Sequence, residues 1–93
     1  MPAARRSLSF DPIAAVAFGT AVRALRVAKE VAQDEFAIMA NIDRSYYGKL
    51  ERGERQPSLG IILRIATALG VSAAELVAAT ERALPKRRAR RSE

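Results

Sequence analysis

Ninety-three residues, 49% of them apolar, suffice for one domain with a core of modest size. The chain has no cysteine and no histidine, which excludes disulfides, zinc fingers and catalysis by a thiolate or imidazole, and fits a reducing cytoplasm. The formal net charge is +6, but residues Asp11 to Arg82 carry nine Lys/Arg against nine Asp/Glu, so the whole excess sits at the two ends. Basic tails alone are weak support for a nucleic-acid partner. Local placement is stronger: between Arg44 and Arg55 there are four cations and two anions. No stretch approaches the roughly 18–20 uninterrupted apolar residues of a membrane helix, and no cleavage site suggests a signal peptide.

Residues 1–10 lack periodicity and are expected to be a disordered arm. Asp11-Pro12 then opens a helix, with Asp as N-cap and Pro in the first turn. This first helix should run to about Lys29, its core stripe being Phe18, Val22 and Leu25 with help from Ala14, Ala21 and Ala28. Arg23, Arg26 and Lys29 lie off that stripe. A second helix is expected over Gln33 to Ala40, with Phe36, Ala37 and Ala40 facing inward. Asn41, the best non-glycine residue at left-handed backbone angles, can close it.

Asp43 can cap a third helix over about Arg44 to Arg52. Tyr47 and Leu50 lie three apart and face inward, whereas Arg44, Ser45, Gly48, Lys49 and Arg52 fall on the other faces. Gly48 weakens the helix by roughly 1 kcal/mol relative to Ala, which suggests either a close backbone approach to DNA or simple tolerance at an exposed site. Gly53 ends the helix, and a polar loop closes at Pro57. Ser58 then caps a fourth helix. Its apolar stripe (Leu59, Ile62, Ile65, Ala66, Leu69), widened by Ile61 and Leu63, implies a central helix buried on more than one side. After Gly70, Val71-Ser72-Ala73-Ala74-Glu75-Leu76 forms a capping box with a hydrophobic staple, opening a fifth helix that reaches about Ala83. Pro85 stops it. Residues 85–93 make a basic tail, expected to be solvated or to touch phosphates nonspecifically, so the folded domain is 11–84. The result is an all-α, five-helix domain.

At Q-x-E-F-A…A-N-I-D-R-S-Y-Y…L-E-R-G-E-R-x-P-S-L…I-A-x-A-L-G-V-S…E-L the chain resembles the Cro/phage-repressor (Xre-like) helix-turn-helix family, over about Phe18 to Val77. The resemblance implies a lambda-repressor-like domain whose second and third helices form the motif. It implies a transcription regulator that binds double-stranded DNA, the third helix lying in the major groove with its N-terminal residues against base edges. By the same resemblance Arg44, Ser45 and Lys49 read bases, with Tyr46 alongside. Gln33 takes a phosphate and braces the reading helix, and Arg26 pairs with Glu51. Arg52 and Arg55 flank the loop and are expected on phosphates, with Arg55 also a candidate reader of bases. Two positions depart from the family: Glu30 stands where relatives carry Gly, and Ala32 where they carry the Ser or Thr cap. Glu30 must accept a strained conformation or let the first helix run on, and the missing cap costs about 1 kcal/mol.

A lone domain of this size covers little DNA, so a homodimer on an inverted repeat is expected, joined through the fifth helix and the loop before it: Leu76, Val77 and Leu84. D-R-S-Y…L-E-R-G-E-R also resembles the small controller proteins of restriction–modification systems. The competing reading is an antitoxin, a protein-binding module that also represses its own operon. Nothing resembles a nucleophile–base pair, a metal cluster or a phosphate-cradling Gly loop. No enzyme activity, cofactor, metal or small-molecule ligand is therefore expected.

Overall fold

A computed structural model describes residues 9–86. The expected arm and basic tail therefore lie almost wholly outside the described residues. Those residues form five α-helices and no strand: α1 (Pro12–Ala28), α2 (Gln33–Met39), α3 (Arg44–Glu51), α4 (Leu59–Leu69) and α5 (Ala73–Arg82).

The ends of these helices follow from local chemistry. The Asp11 carboxylate accepts from the backbone N–H groups of Ile13 and Ala14 at 3.0 and 3.1 Å, and Pro12 sits in the first turn. Asp43 caps α3 through Tyr46 N at 3.0 Å. Ser72 and Glu75 close the reciprocal capping box at 2.8 and 3.0 Å. Asn41 takes φ 58° after α2, as expected of a residue that stops the helix there. Glu30, where relatives carry Gly, resolves its alternative the same way: φ is 61°, so α1 ends and the chain turns. Ala32 begins α2 with no side-chain cap.

The core gathers Phe18 and Val22 of α1, Phe36 and Ala37 of α2, Tyr47 and Leu50 of α3, Ile65, Ala66 and Leu69 of α4, and Leu76 of α5. Phe36 and Tyr47 stack as tilted rings with centroids 5.3 Å apart, joining the two halves of the motif. Ala28, expected to help the α1 stripe, is exposed; Ala15 and Ala17 are buried in its place.

The central helix is α1, which packs against both α3 and α5. The width of the α4 stripe suggested that α4 held that position. Instead Leu59 is 71% exposed and Leu63 49%, because only one side of α4 meets the core. What makes α1 central is Gly19. A Cβ there would lie 2.5 Å from the Leu50 carbonyl oxygen and closer still to that of Glu51. The backbone of α1 thus rests directly on the last turn of α3. Gly53, at φ 77°, is crowded against Val16 of α1 in the same way. Gly19→Ala should lower stability by about 1–3 kcal/mol, although Ala favours helix, because the atoms it meets are backbone. Denaturant unfolding measures this; an unchanged or raised midpoint would mean that α1 and α3 separate freely.

Candidate nucleic-acid interface

The turn between α2 and α3 is built from backbone bonds and one buried side chain. Ile42 N donates to Ala37 O at 2.9 Å, and the Ile42 side chain points into the core. Arg64 of α4 donates from Nη1 to Asn41 O at 3.2 Å, tying the turn to the next helix. No local pattern marked Arg64 for this role, since its partner lies 23 residues away.

Beneath α3 lies a closed polar knot centred on Glu51. Arg26 Nε donates to Glu51 Oε2 at 2.6 Å and Arg26 Nη2 to Oε1 at 3.0 Å, a two-pronged pair. Gln33 Nε2 donates to the same Oε1 at 3.0 Å, and the Tyr47 hydroxyl donates to Oε2. The remaining edge of Arg26 reaches Val31 O at 2.7 Å. The Glu51 side chain is 2% exposed and that of Arg26 10%. Three helices meet at one carboxylate, and the connecting loop joins them through Arg26. Among the described residues no buried side-chain N or O lacks a partner.

The charges follow from these contacts. Burial pushes the Glu51 carboxyl up, but hydrogen bonds from Arg26, Tyr47 and Gln33 outweigh it and hold Glu51 below the ordinary carboxylate range. Hydrogen bonding to Glu51 raises the Arg26 guanidinium against the opposing effect of burial. Burial first, then the bond to Glu51, pushes the Tyr47 hydroxyl far above its ordinary value, so it stays a donor. The pairing of Arg26 with Glu51 expected from the resemblance is present. The Tyr47 hydroxyl was missed, although its i, i+4 spacing to Glu51 on one helix was a usable signal.

The outer face of α3 carries the expected readers. Arg44 and Ser45 are exposed and Lys49 is half-buried. Tyr46 is half-buried against the core, which leaves part of its ring for an outside contact. Arg44 Nη1 lies 3.6 Å from Asp34 Oδ2 on α2. Arg52 Nε donates to Glu54 Oε2 at 2.8 Å, and Arg55 Nη1 to Glu54 O at 3.3 Å, so both bend toward the loop. Gln33 sits at the α2 start with one amide N–H on Glu51, leaving a second donor on that nitrogen.

Gly48 departs from expectation. It was assigned to the outward faces, yet it is buried: a Cβ would meet Arg52 Nη1 at 3.2 Å and Gln33 Oε1 at 3.7 Å. Its role is to let those two side chains lie across α3. Leu76 requires a second correction. Expected on a dimer surface, it is fully buried in the core; Val77 is exposed and Leu84 half-buried. Among the described residues no group of three or more Asp or Glu could hold a metal, and no single helix is long and apolar enough to cross a membrane.

Two helices at a tight turn, the second braced from below and polar above, define a helix-turn-helix DNA-binding motif. A family model described as helix-turn-helix matches residues 22–76. Control protein C.MunI of Mycoplasma sp. is 34% identical over 68 residues, 72% of this chain and 92% of that protein. Among solved structures, the restriction–modification controller protein C.AhdI from Aeromonas hydrophila superposes with a TM-score of 0.65 at 47% identity, covering 67% of this chain and 94% of that one. The clp gene regulator ClgR from Corynebacterium glutamicum gives 0.75 at 26% identity, covering 85% and 84%. The chain belongs to the Xre-like helix-turn-helix family of DNA-binding transcriptional regulators.

Breaking the knot from one side strands its other members. Glu51→Ala should lose about 3–5 kcal/mol, since it leaves a buried, unpaired guanidinium. Because Glu51 is depressed in the native state, its contribution is fully present above the unfolded value of about 4.3 and fades as pH falls through the lower native one. Urea titrations of wild type and Glu51→Gln across that acid range should show a shallower pH slope in the variant. Parallel slopes would place the acid sensitivity elsewhere.

Proposed function

We propose that the protein is a sequence-specific, dimeric transcription regulator that places α3 in the major groove of an inverted-repeat operator. In this reading it represses transcription, including that of its own gene. The observation that carries the reading is the pairing of a rigid underside with an open outer face. Arg44, Ser45 and Lys49 project from a helix whose orientation is held by Glu51, Gly19 and the Phe36–Tyr47 contact.

Arg44 stands at the first position of α3, the end that meets base edges in this docking mode. Its planar fork matches guanine O6 and N7, and Ser45 follows it. Lys49, more than one turn on, reaches guanine or a phosphate. The second amide hydrogen of Gln33 serves a phosphate while the first stays on Glu51, so phosphate contact and helix orientation are set together. Arg52 and Arg55 take phosphates at the far end of the helix.

The dimer rests on a different observation. Leu59, Leu63 and Val77 are exposed on α4 and α5. A groove of about 230 Å³, lined by residues including Pro57, Ile62 and Val77, lies on the same part of the domain. A second copy would cover this apolar surface and set two reading helices about one helical turn apart. The likeness to C.MunI and C.AhdI supports a controller of a restriction–modification system as the subtype.

Selection of bound sites from a random duplex library at ~150 mM salt tests the whole reading, because nonspecific phosphate binding is weakened there. An inverted repeat is the expected product. Enrichment of a single half-site would keep the reading helix and reject the dimer. Arg44→Ala should then cost about 1–3 kcal/mol and relax selection at one base pair of each half-site; uniform weakening at all positions would move Arg44 to a phosphate. Leu63→Glu should convert a dimer to a monomer in sedimentation experiments while leaving the melting curve of the domain cooperative. A dimer that persists would place the interface elsewhere.

A further inference from the structure

Two of the arginines placed on DNA above already hold a carboxylate in the unbound protein. Arg44 lies 3.6 Å from Asp34 across the turn. Arg52 binds Glu54 through Nε at 2.8 Å and Nη2 at 3.4 Å. These acids differ in kind from Glu51, whose charge is saturated by its donors inside the fold. The side chains of Asp34 and Glu54 are 68% and 50% exposed, so their charge reaches whatever approaches this face. Hydrogen bonding to Arg52 also holds the Glu54 carboxyl below its ordinary value. Exposed pairs of this type add little to folding stability, so stability does not account for them.

We infer that Asp34 is a specificity-determining residue, a built-in anionic competitor that suppresses binding to DNA of arbitrary sequence, whereas Glu54, whose partner Arg52 meets a phosphate on any duplex, weakens binding to all sequences alike. The inference rests on α3 being the groove-reading helix. Binding to arbitrary sequence comes almost entirely from neutralising phosphates with Lys and Arg. For Arg44 or Arg52 such binding exchanges one anion for another and adds repulsion between the carboxylate and the backbone. The gain is small.

A matching site differs in chemistry. Guanine O6 and N7 are neutral acceptors, and a guanidinium has five N–H donors in a fixed fork. Arg44 can present one edge to the base while Asp34 stays near another edge and fixes the direction of the fork. The 3.6 Å separation suits this: it is an electrostatic tether, long for a tight hydrogen bond, and leaves the side chain able to swing. The neutral balance of residues Asp11 to Arg82 fits the same arrangement, since this fold does not rely on bulk positive charge to find DNA.

The test uses the full chain with Asp34→Asn and Glu54→Gln, singly and together. Affinity is measured for the selected duplex and for a scrambled duplex of equal length, across a salt series. Asp34→Asn should tighten scrambled DNA by roughly fivefold, the factor for about 1 kcal/mol of unit-charge Coulomb energy at 4 Å in water; Glu54→Gln should tighten it too. With Asp34→Asn the selected duplex should tighten less, so the specificity ratio falls; with Glu54→Gln both duplexes should tighten alike and the ratio hold. The slope of log K against log salt on scrambled DNA should steepen by about one unit per released arginine. Equal tightening of both duplexes by Asp34→Asn, or no change in either, overturns the inference while leaving the groove-reading helix intact. A wild-type protein that prefers no sequence at all removes both.

Discussion

The structure depends on one buried carboxylate. Glu51 lies at the end of a helix whose other face is proposed to meet a polyanion, where an open charge would repel the partner. Its two oxygens instead accept from Arg26, Gln33 and Tyr47, and that requirement ties α1, α2 and α3 together. A hydrophobic contact would tolerate sliding; four directed bonds to two atoms tolerate little. Such a knot is a poor source of net stability, because ions lose hydration on burial, but it penalises alternative orientations. Orientation is what a reading helix needs.

Gly19 supplies the steric half of the same constraint. With no side chain at the crossing, α1 presses onto the carbonyl groups at the end of α3, and Gly48 lets Arg52 and Gln33 lie across the middle. Arg64 holds the turn from the opposite side through Asn41 O. The motif is therefore gripped at its turn, its underside and its C-terminal end. The N-terminal end of α3 is left open.

Much of this was legible in the sequence. The five helices appear where capping and periodicity placed them, each boundary within a residue, because Asp11, Asp43, Ser58 and Ser72 are strong local signals. The inward set Phe36, Ala37, Tyr47 and Leu50 followed from helical spacing alone. The pairing of Arg26 with Glu51 came from the family resemblance; no spacing rule connects residues 25 apart. The misplacements share a cause. Periodicity puts Leu59 and Leu63 in the core, Leu76 on the surface and Gly48 facing outward, because it locates an apolar face but does not say how many neighbours cover it. Gly19 carried a signal that went unused: glycine inside a helix is unfavourable unless something approaches closely.

The open end of α3 separates two kinds of residue. Those that hold the helix face inward and answer to one another, so a change in one requires changes in the rest. Arg44 and Ser45 support no packing, and Lys49 joins no buried bond. Their identities can therefore drift without a folding penalty, each new combination inheriting the same rigid mount. A domain divided in this way is an evolvable reader, in which preference for a new site arises through surface replacements while the chassis beneath stays unchanged.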